Sequence, residues 1–138
     1  MIQGKKVILR TFREGDLNAY FEIISDLSYT SDYWPAHLRS EVNMRKEFNE
    51  NGFWKDDYKL MLITDKDGRL IGELDNFATS PNIQGSEAGY RIFRKEDMGK
   101  GYMTEALQLF SAYLYKINLN ILRLNLLSRS DNIGSMRI

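Results

Sequence analysis

The sequence contains no cysteine. That removes disulfide bridges, thiolate metal sites and a cysteine nucleophile from consideration. It also has no excess of charge, because 19 basic residues are matched by 19 acidic ones. General nucleic-acid binders and adsorbed membrane proteins show a basic excess, so neither partner is expected. No apolar run approaches the roughly 20 residues that span a bilayer. Residues Met1 to Val7 lack the apolar core of a signal peptide. Repeats, low-complexity tracts and linkers are missing too. What is present, 138 residues with 43% hydrophobic and 28% charged side chains, is the composition of one ordinary globular domain over 1–138. The cytoplasm is the default compartment.

Hydrophobic periodicity orders the rest. Val7 to Thr11 is short and β-branched, a first strand. Asp16 is an expected N-cap for a helix on which Leu17, Tyr20, Phe21, Ile24 and Leu27 share a face. Ser28 to Leu38 is an aromatic loop holding Tyr29, Asp32, Tyr33, Trp34 and the only histidine, His37. Ser40 opens a second helix with Val42, Met44, Phe48 and Phe53 on its apolar side, stopped at Asn51-Gly52. Tyr58 to Thr64 and Arg69 to Phe77 are strands joined by the turn signal Asp65-Lys66-Asp67-Gly68. Glu87 to Phe93 is another strand. A third helix is predicted from Met103 to Ile117, where Met103, Leu107, Phe110, Leu114 and Ile117 form one stripe. Ile121 to Leu127 is a last strand with Leu122, Leu124 and Leu126 alternating, and Ser130-Asp131-Asn132 is a turn or the cap of a helix start. The order β-α-α-β-β-β-α-β predicts one α/β (α+β) domain on a mixed, mostly antiparallel sheet, with strands 87–93 and 121–127 parallel around the third helix.

The stretch Met98-Gly99-Lys100-Gly101-Tyr102-Met103-Thr104-Glu105-Ala106 joins a strand to the third helix. A glycine turn at a helix N-terminus offers free N–H groups and the positive end of the helix dipole, which suits a phosphate. A nucleotide P-loop needs Gly-x-x-x-x-Gly-Lys-Ser/Thr, and the spacing differs. A dinucleotide fingerprint needs a third glycine where Thr104 stands, and the strand order does not suit that fold. A pyrophosphate cradle on a mixed sheet fits both the topology and the residues.

On these residues the chain resembles the GNAT N-acetyltransferases, in particular the Rim-type subgroup acting on ribosomal proteins and small amines. Leu9-Arg10 with Asp16, Gly89-Tyr90 followed by Met98 to Ala106, and Asn132-Ile133-Gly134-Ser135 lie in the family's order. In the general Gln/Arg-x-x-Gly-x-Gly/Ala form, Met98 takes the Gln/Arg place, Gly101 the central glycine and Met103 the last small residue. The resemblance implies acetyl-CoA as co-substrate and no metal. It implies that amides from Gly99 to Thr104, including Tyr102 and Met103, hold the pyrophosphate, with Lys100 adding charge. Pantetheine would pair along Tyr90 to Phe93, assisted by Asn132 and Ser135. A backbone N–H near Ile92 or Phe93 would stabilise the oxyanion.

Attack by an amine needs a proton acceptor. Glu87 is the first candidate and Glu73 the second, each with the alternative of a solvated strand carboxylate. Asp32, Tyr33 and Trp34 are expected at the acceptor pocket, where aromatics and a carboxylate suit a cation. The alternative is that these three cap the core and a turn. Relatives continue past the Asn-x-x-Ser helix into two more strands, so the chain is expected to be short at that end. An open edge then invites a homodimer. The resulting expectation is an N-acetyltransferase acting on a primary amine of a peptide N-terminus, polyamine or small molecule. The alternative is a catalytically weak CoA-binding module.

Overall fold

The computed structural model describes residues 1–29, 32–33, 38–78, 85–117 and 122–138. The expectations placed on Trp34, His37 and Ile121 lie outside these residues. Six strands form one sheet in sequential order: β1 (Ile2–Gln3), β2 (Ile8–Arg10), β3 (Tyr58–Thr64), β4 (Leu70–Ala78), β5 (Gly85–Ile92) and β6 (Arg123–Leu126). The first five pair antiparallel, and β5 and β6 pair parallel across the crossover helix α3 (Tyr102–Ile117). The expected order holds, with the two-residue β1 as an addition that is too short to show a period.

Local chemistry explains the turns and caps. Between β3 and β4, Asp65 accepts from the Asp67 and Arg69 amides at 3.0 and 2.9 Å. Gly68, at φ +87°, supplies the left-handed residue that closes this turn. Helix α2 (Glu41–Asn51) starts where Ser40 Oγ accepts from the Asn43 amide and stops at Gly52, φ +64°. Asp16 departs from expectation. It precedes α1 (Leu17–Ser25) but makes no side-chain cap. Instead it takes both guanidinium nitrogens of Arg10, at 2.6 and 2.8 Å, and the Arg13 amide at 2.8 Å.

The sheet divides the interior in two. Beneath α3, Val7, Leu9, Met61, Ile63, Ile71, Leu74 and Ala88 meet Met103, Ala106, Leu107, Phe110 and Leu114. On the other face Leu60, Leu62, Leu70 and Phe93 pack with Phe12, α1 and the Met44–Phe53 region. Truncating a fully buried aromatic such as Phe110 or Phe53 would cost about 3–5 kcal/mol. Five apolar expectations fail. Val42 is 75% exposed: two residues from Met44, it sits about 200° around the helix from the buried stripe. Leu27 lies beyond the end of α1 and is exposed, as is Ile117 in the last turn of α3. On β6 only Leu124 packs against the core, while Leu122, Leu126 and Leu127 are exposed.

Candidate functional site

The turn before α3 has the backbone that its glycines suggest. Gly99 and Gly101 both lie in the left-handed region, at φ +73° and +79°. Any other residue would be strained there. The first helical bond runs from the Glu105 amide to the Gly101 carbonyl. The Tyr102, Met103 and Thr104 N–H groups therefore have no acceptor within the helix.

Two carboxylates hold this turn in place. Asp97, buried in the 3₁₀ turn Lys95–Asp97, receives the Arg69 guanidinium at 2.7 and 2.9 Å. Arg69 holds the Asp97 carboxyl below the ordinary carboxylate range, against the opposing effect of burial. Glu105 accepts from the amides of Lys5, Lys6 and Val7 at 2.8, 2.7 and 2.8 Å, which pins the chain entering β2 to the first turn of α3. Burial raises the Glu105 carboxyl, but the three amides outweigh it and the net shift is downward. Neither group was singled out from the sequence, since each partner is distant along the chain.

In front of the turn the sheet opens. The parallel register ends at Ala88 opposite Leu126, so Gly89 to Ile92 of β5 have no β6 partner. The Phe93 amide bonds the Ile71 carbonyl on β4. By the antiparallel alternation, Ile92 and Tyr90 then turn their N–H and C=O groups to the gap. The gap is a cleft of about 1190 Å³. One wall is Gly89 to Ile92, and the other is Leu127 to Arg129 with Asn132 and Ser135. Gly99, Gly101 and Tyr102 to Thr104 close one end. Asn132 Oδ1 accepts from the Ser135 amide at 3.2 Å, so its NH₂ group is the part left for a ligand.

Of the expected cofactor positions, Ile92, Met98, Gly99, Gly101, Tyr102, Met103, Thr104, Asn132 and Ser135 all line this cleft. Asp32 and Tyr33 join them. The Tyr33 hydroxyl donates to the Asp131 carbonyl at 3.0 Å, and its ring lies under the Arg129 guanidinium. Two positions are corrected. Phe93 is not in the wall: one residue past Ile92, its side chain enters the opposite core and its amide is used by Ile71. Lys100 is not in the lining either: its Nζ stands 3.6 Å from Asp97 and its carbonyl accepts from Lys6 Nζ at 2.8 Å.

The two candidate bases are not in the cleft wall either. Glu73 is buried on the α1 face, accepting from the Tyr20 hydroxyl at 2.6 Å with Arg91 at 3.3 Å. Burial raises the Glu73 carboxyl, and Arg91 and the Tyr20 hydroxyl oppose it. Burial likewise pushes the Tyr20 hydroxyl upward, with the Glu73 charge adding to it. Glu87 is half-buried on the same face, one residue before the end of the β5–β6 ladder. A third carboxylate, Asp75, stands with them and was missed. The strand alternation of β4 would have placed it beside Glu73, but not against Gly89 of another strand.

Comparison with known proteins agrees with this geometry. Residues 6–138 match the acetyltransferase (GNAT) domain family. No curated protein matches the chain in sequence. Among solved structures, the chain is similar to the spermidine N-acetyltransferase of Vibrio cholerae with CoA and spermine, at 19% identity and a TM-score of 0.77 over 97% of this chain and 78% of that one. It is similar to the acetyltransferase of Salmonella typhimurium that modifies the N-terminal serine of ribosomal protein L7/L12, at 21% identity and TM-score 0.75, covering 96% and 77%. An aminoglycoside acetyltransferase with coenzyme A and kanamycin superposes at 13% identity and TM-score 0.74, covering 95% and 79%. No group of side chains suited to a metal ion occurs among the described residues, and no helix among them is long and apolar enough to cross a membrane. The parted strands, the glycine turn and the match over nearly the whole chain lead to one conclusion: the chain belongs to the GNAT acetyltransferase family and is an acetyl-CoA-dependent N-acetyltransferase.

Proposed function

We propose that residues 1–138 act as one catalytic domain, in the cytoplasm, on a primary amine of a peptide N-terminus, polyamine or small molecule. The observation that carries the reading is the parting of β5 from β6 directly in front of the Gly99–Thr104 turn. Backbone amides of the turn take the pyrophosphate, with Lys100 contributing only at long range because it is engaged by Asp97. Pantetheine adds to the open edge at Tyr90 and Ile92, and Asn132 donates to it, with Ser135 beside it. An N–H on that edge then receives the oxyanion as the amine attacks. Asp32 and Tyr33, which line the cleft, form the mouth for the amine. The acceptors named for the similar structures, spermine, an N-terminal serine and kanamycin, are all amines, so the three classes remain the candidates.

Glu87 is retained as a participant in proton removal, because it stands half-buried beside the vertex of the cleft. Glu73 serves less well, since Arg91 and Tyr20 already occupy its oxygens. Exposed Leu126, Leu127, Ile133 and Met136 lie along or after the open edge of β6. We infer a homodimer through that edge; sedimentation of the chain as a monomer would overturn it. The catalytic reading is tested by calorimetry with acetyl-CoA and by thiol release over a panel of amines. Binding with release for at least one amine supports it. Binding without release for any amine would leave only a cofactor-holding module.

A further inference from the structure

On the sheet face opposite α3, the register sets three rows side by side. Tyr58, Phe77 and Glu87 form one row, Leu60, Asp75 and Gly89 the next, and Leu62, Glu73 and Arg91 the third. The outer two carboxylates have different circumstances. Glu73 is bonded and neutralised. Glu87 makes no ion pair among the described residues. Asp75 stands between them, half-buried.

The place of Asp75 is set by a missing side chain. A Cβ built on Gly89 would fall 2.2 Å from Asp75 Oδ1, so glycine at 89 leaves the carboxylate the space it occupies. Gly89 is the first β5 residue beyond the last β5–β6 pair and lines the cleft. Asp75 therefore lies against the vertex where the two strands part, on the side away from α3. With the pyrophosphate at the Gly99–Thr104 turn, a ligand extending between the strands brings its far end to this vertex. Oδ1 is enclosed and has no hydrogen bond of good geometry to a described residue. A buried oxygen short of partners costs free energy and asks for an explanation, and a catalytic role is one.

We propose that Asp75 takes the proton from the acceptor's ammonium group and passes it through Glu87 to solvent. The inference rests on the reading that acetyl-CoA occupies the cleft. The amine approaches from the α1–α2 side, over Tyr58 and Phe77, whose half-buried rings flank the two carboxylates and suit a cation. Asp75 removes one proton from the ammonium nitrogen, and the freed lone pair attacks the thioester carbon. The new C–N bond gives a tetrahedral oxyanion, its collapse breaks the C–S bond, and the second amine proton leaves with the thiolate as free thiol. Glu87, diagonal to Asp75 across the β4–β5 ladder and half-exposed, carries the first proton outward.

The electrostatics suit that task. Burial raises the Asp75 carboxyl, the Gly89 amide and its own amide oppose this, and the Glu87 charge raises it further. A base whose proton affinity is lifted toward the working pH is a better proton acceptor. The other charged and titratable groups facing this row are Glu73, Arg91 and Tyr58 on the sheet, Tyr20 from α1, Arg39 just before α2 and Glu47 within it.

The test compares Asp75→Asn and Glu87→Gln with the parent enzyme. Asp75→Asn is expected to lower kcat by about 10²–10⁴-fold while acetyl-CoA binding by calorimetry stays within about twofold. Its acid limb in kcat/KM should disappear, leaving a rate that follows only the amine's own ionisation. Glu87→Gln should keep more activity and move the acid limb to lower pH, because a charge that raises Asp75 has gone. Unchanged kcat in Asp75→Asn, or an unmoved limb in Glu87→Gln, would overturn the proposal. Failure of the parent enzyme to bind acetyl-CoA would overturn the cleft reading instead. If Asp75→Asn does not fold, the Glu87→Gln limb alone decides.

Discussion

The cluster beneath α3 is apolar throughout, from Val7 and Leu9 to Phe110 and Leu114, and it supports a cleft whose ligand groups are mostly backbone. The opposite face contains an equally dry cluster around Phe12, Leu62 and Phe93, yet Tyr20, Glu73, Asp75, Glu87 and Arg91 stand in or beside it. On the proposed reading the first side holds the cofactor, and a backbone cradle does this with few demands on side chains. The second side is where we propose that the acceptor is met, and there the carboxylates differ in their partners. Glu73 is engaged by Arg91 and Tyr20, whereas no described side chain bonds Asp75, on which only backbone amides act. Cofactor binding and proton transfer should therefore be separable by mutation.

The sharpest way to break that separation is Gly101→Asp. It puts a strained residue at φ +79° and a negative charge where phosphate is expected. Acetyl-CoA affinity in calorimetry should fall at least 100-fold, about 2.7 kcal/mol or more. A variant that binds normally would show that the cradle is not the phosphate site. Asp97→Asn should have a smaller effect. Losing the charge-assisted pair with Arg69 should cost about 1–3 kcal/mol in denaturant unfolding and weaken acetyl-CoA binding by a lesser factor. The pH dependence has a definite sign. The folded pKa of Asp97 lies below its unfolded value of about 3.9, so its contribution is present above pH 4 and is lost as pH falls through the folded value. The parent should lose stability on acidification more steeply than Asp97→Asn, and equal slopes in urea titrations from pH 5 to pH 2 would contradict this. Leu126→Lys should have the least effect on folding, within about 0.5 kcal/mol, because the side chain is already 45% exposed. Its predicted consequence is sedimentation as a monomer where the parent sediments as a dimer.

Much of the cofactor side was legible in the amino-acid order because its signals are local. Two glycines with positive φ, a helical stripe from Met103 to Leu114 and an Asn-capped turn at Asn132 each need only neighbouring residues to express themselves. The failures had local causes of another kind. Val42 and Leu27 were placed on buried stripes by apolar spacing, yet helix rotation and helix end decide their exposure. Phe93 and Ile92 are adjacent, and only the strand alternation puts one in the core and the other in the cleft wall.

By itself, then, the order of residues determined the strands, the hairpin at Asp65–Gly68, the phosphate-type turn and the crossover around α3. These follow from φ/ψ preference and hydrophobic period, which act over a few residues. Tertiary structure decided which carboxylate is occupied and which is open. Glu73 meets Tyr20 across 53 residues of sequence, and Asp75 meets Gly89 only through the β4–β5 register. A shift of that register by one residue would turn every side chain of the strand to the other face. The chemistry of the acceptor side is a property of the assembled sheet, because proton affinity depends on the neighbours that register brings.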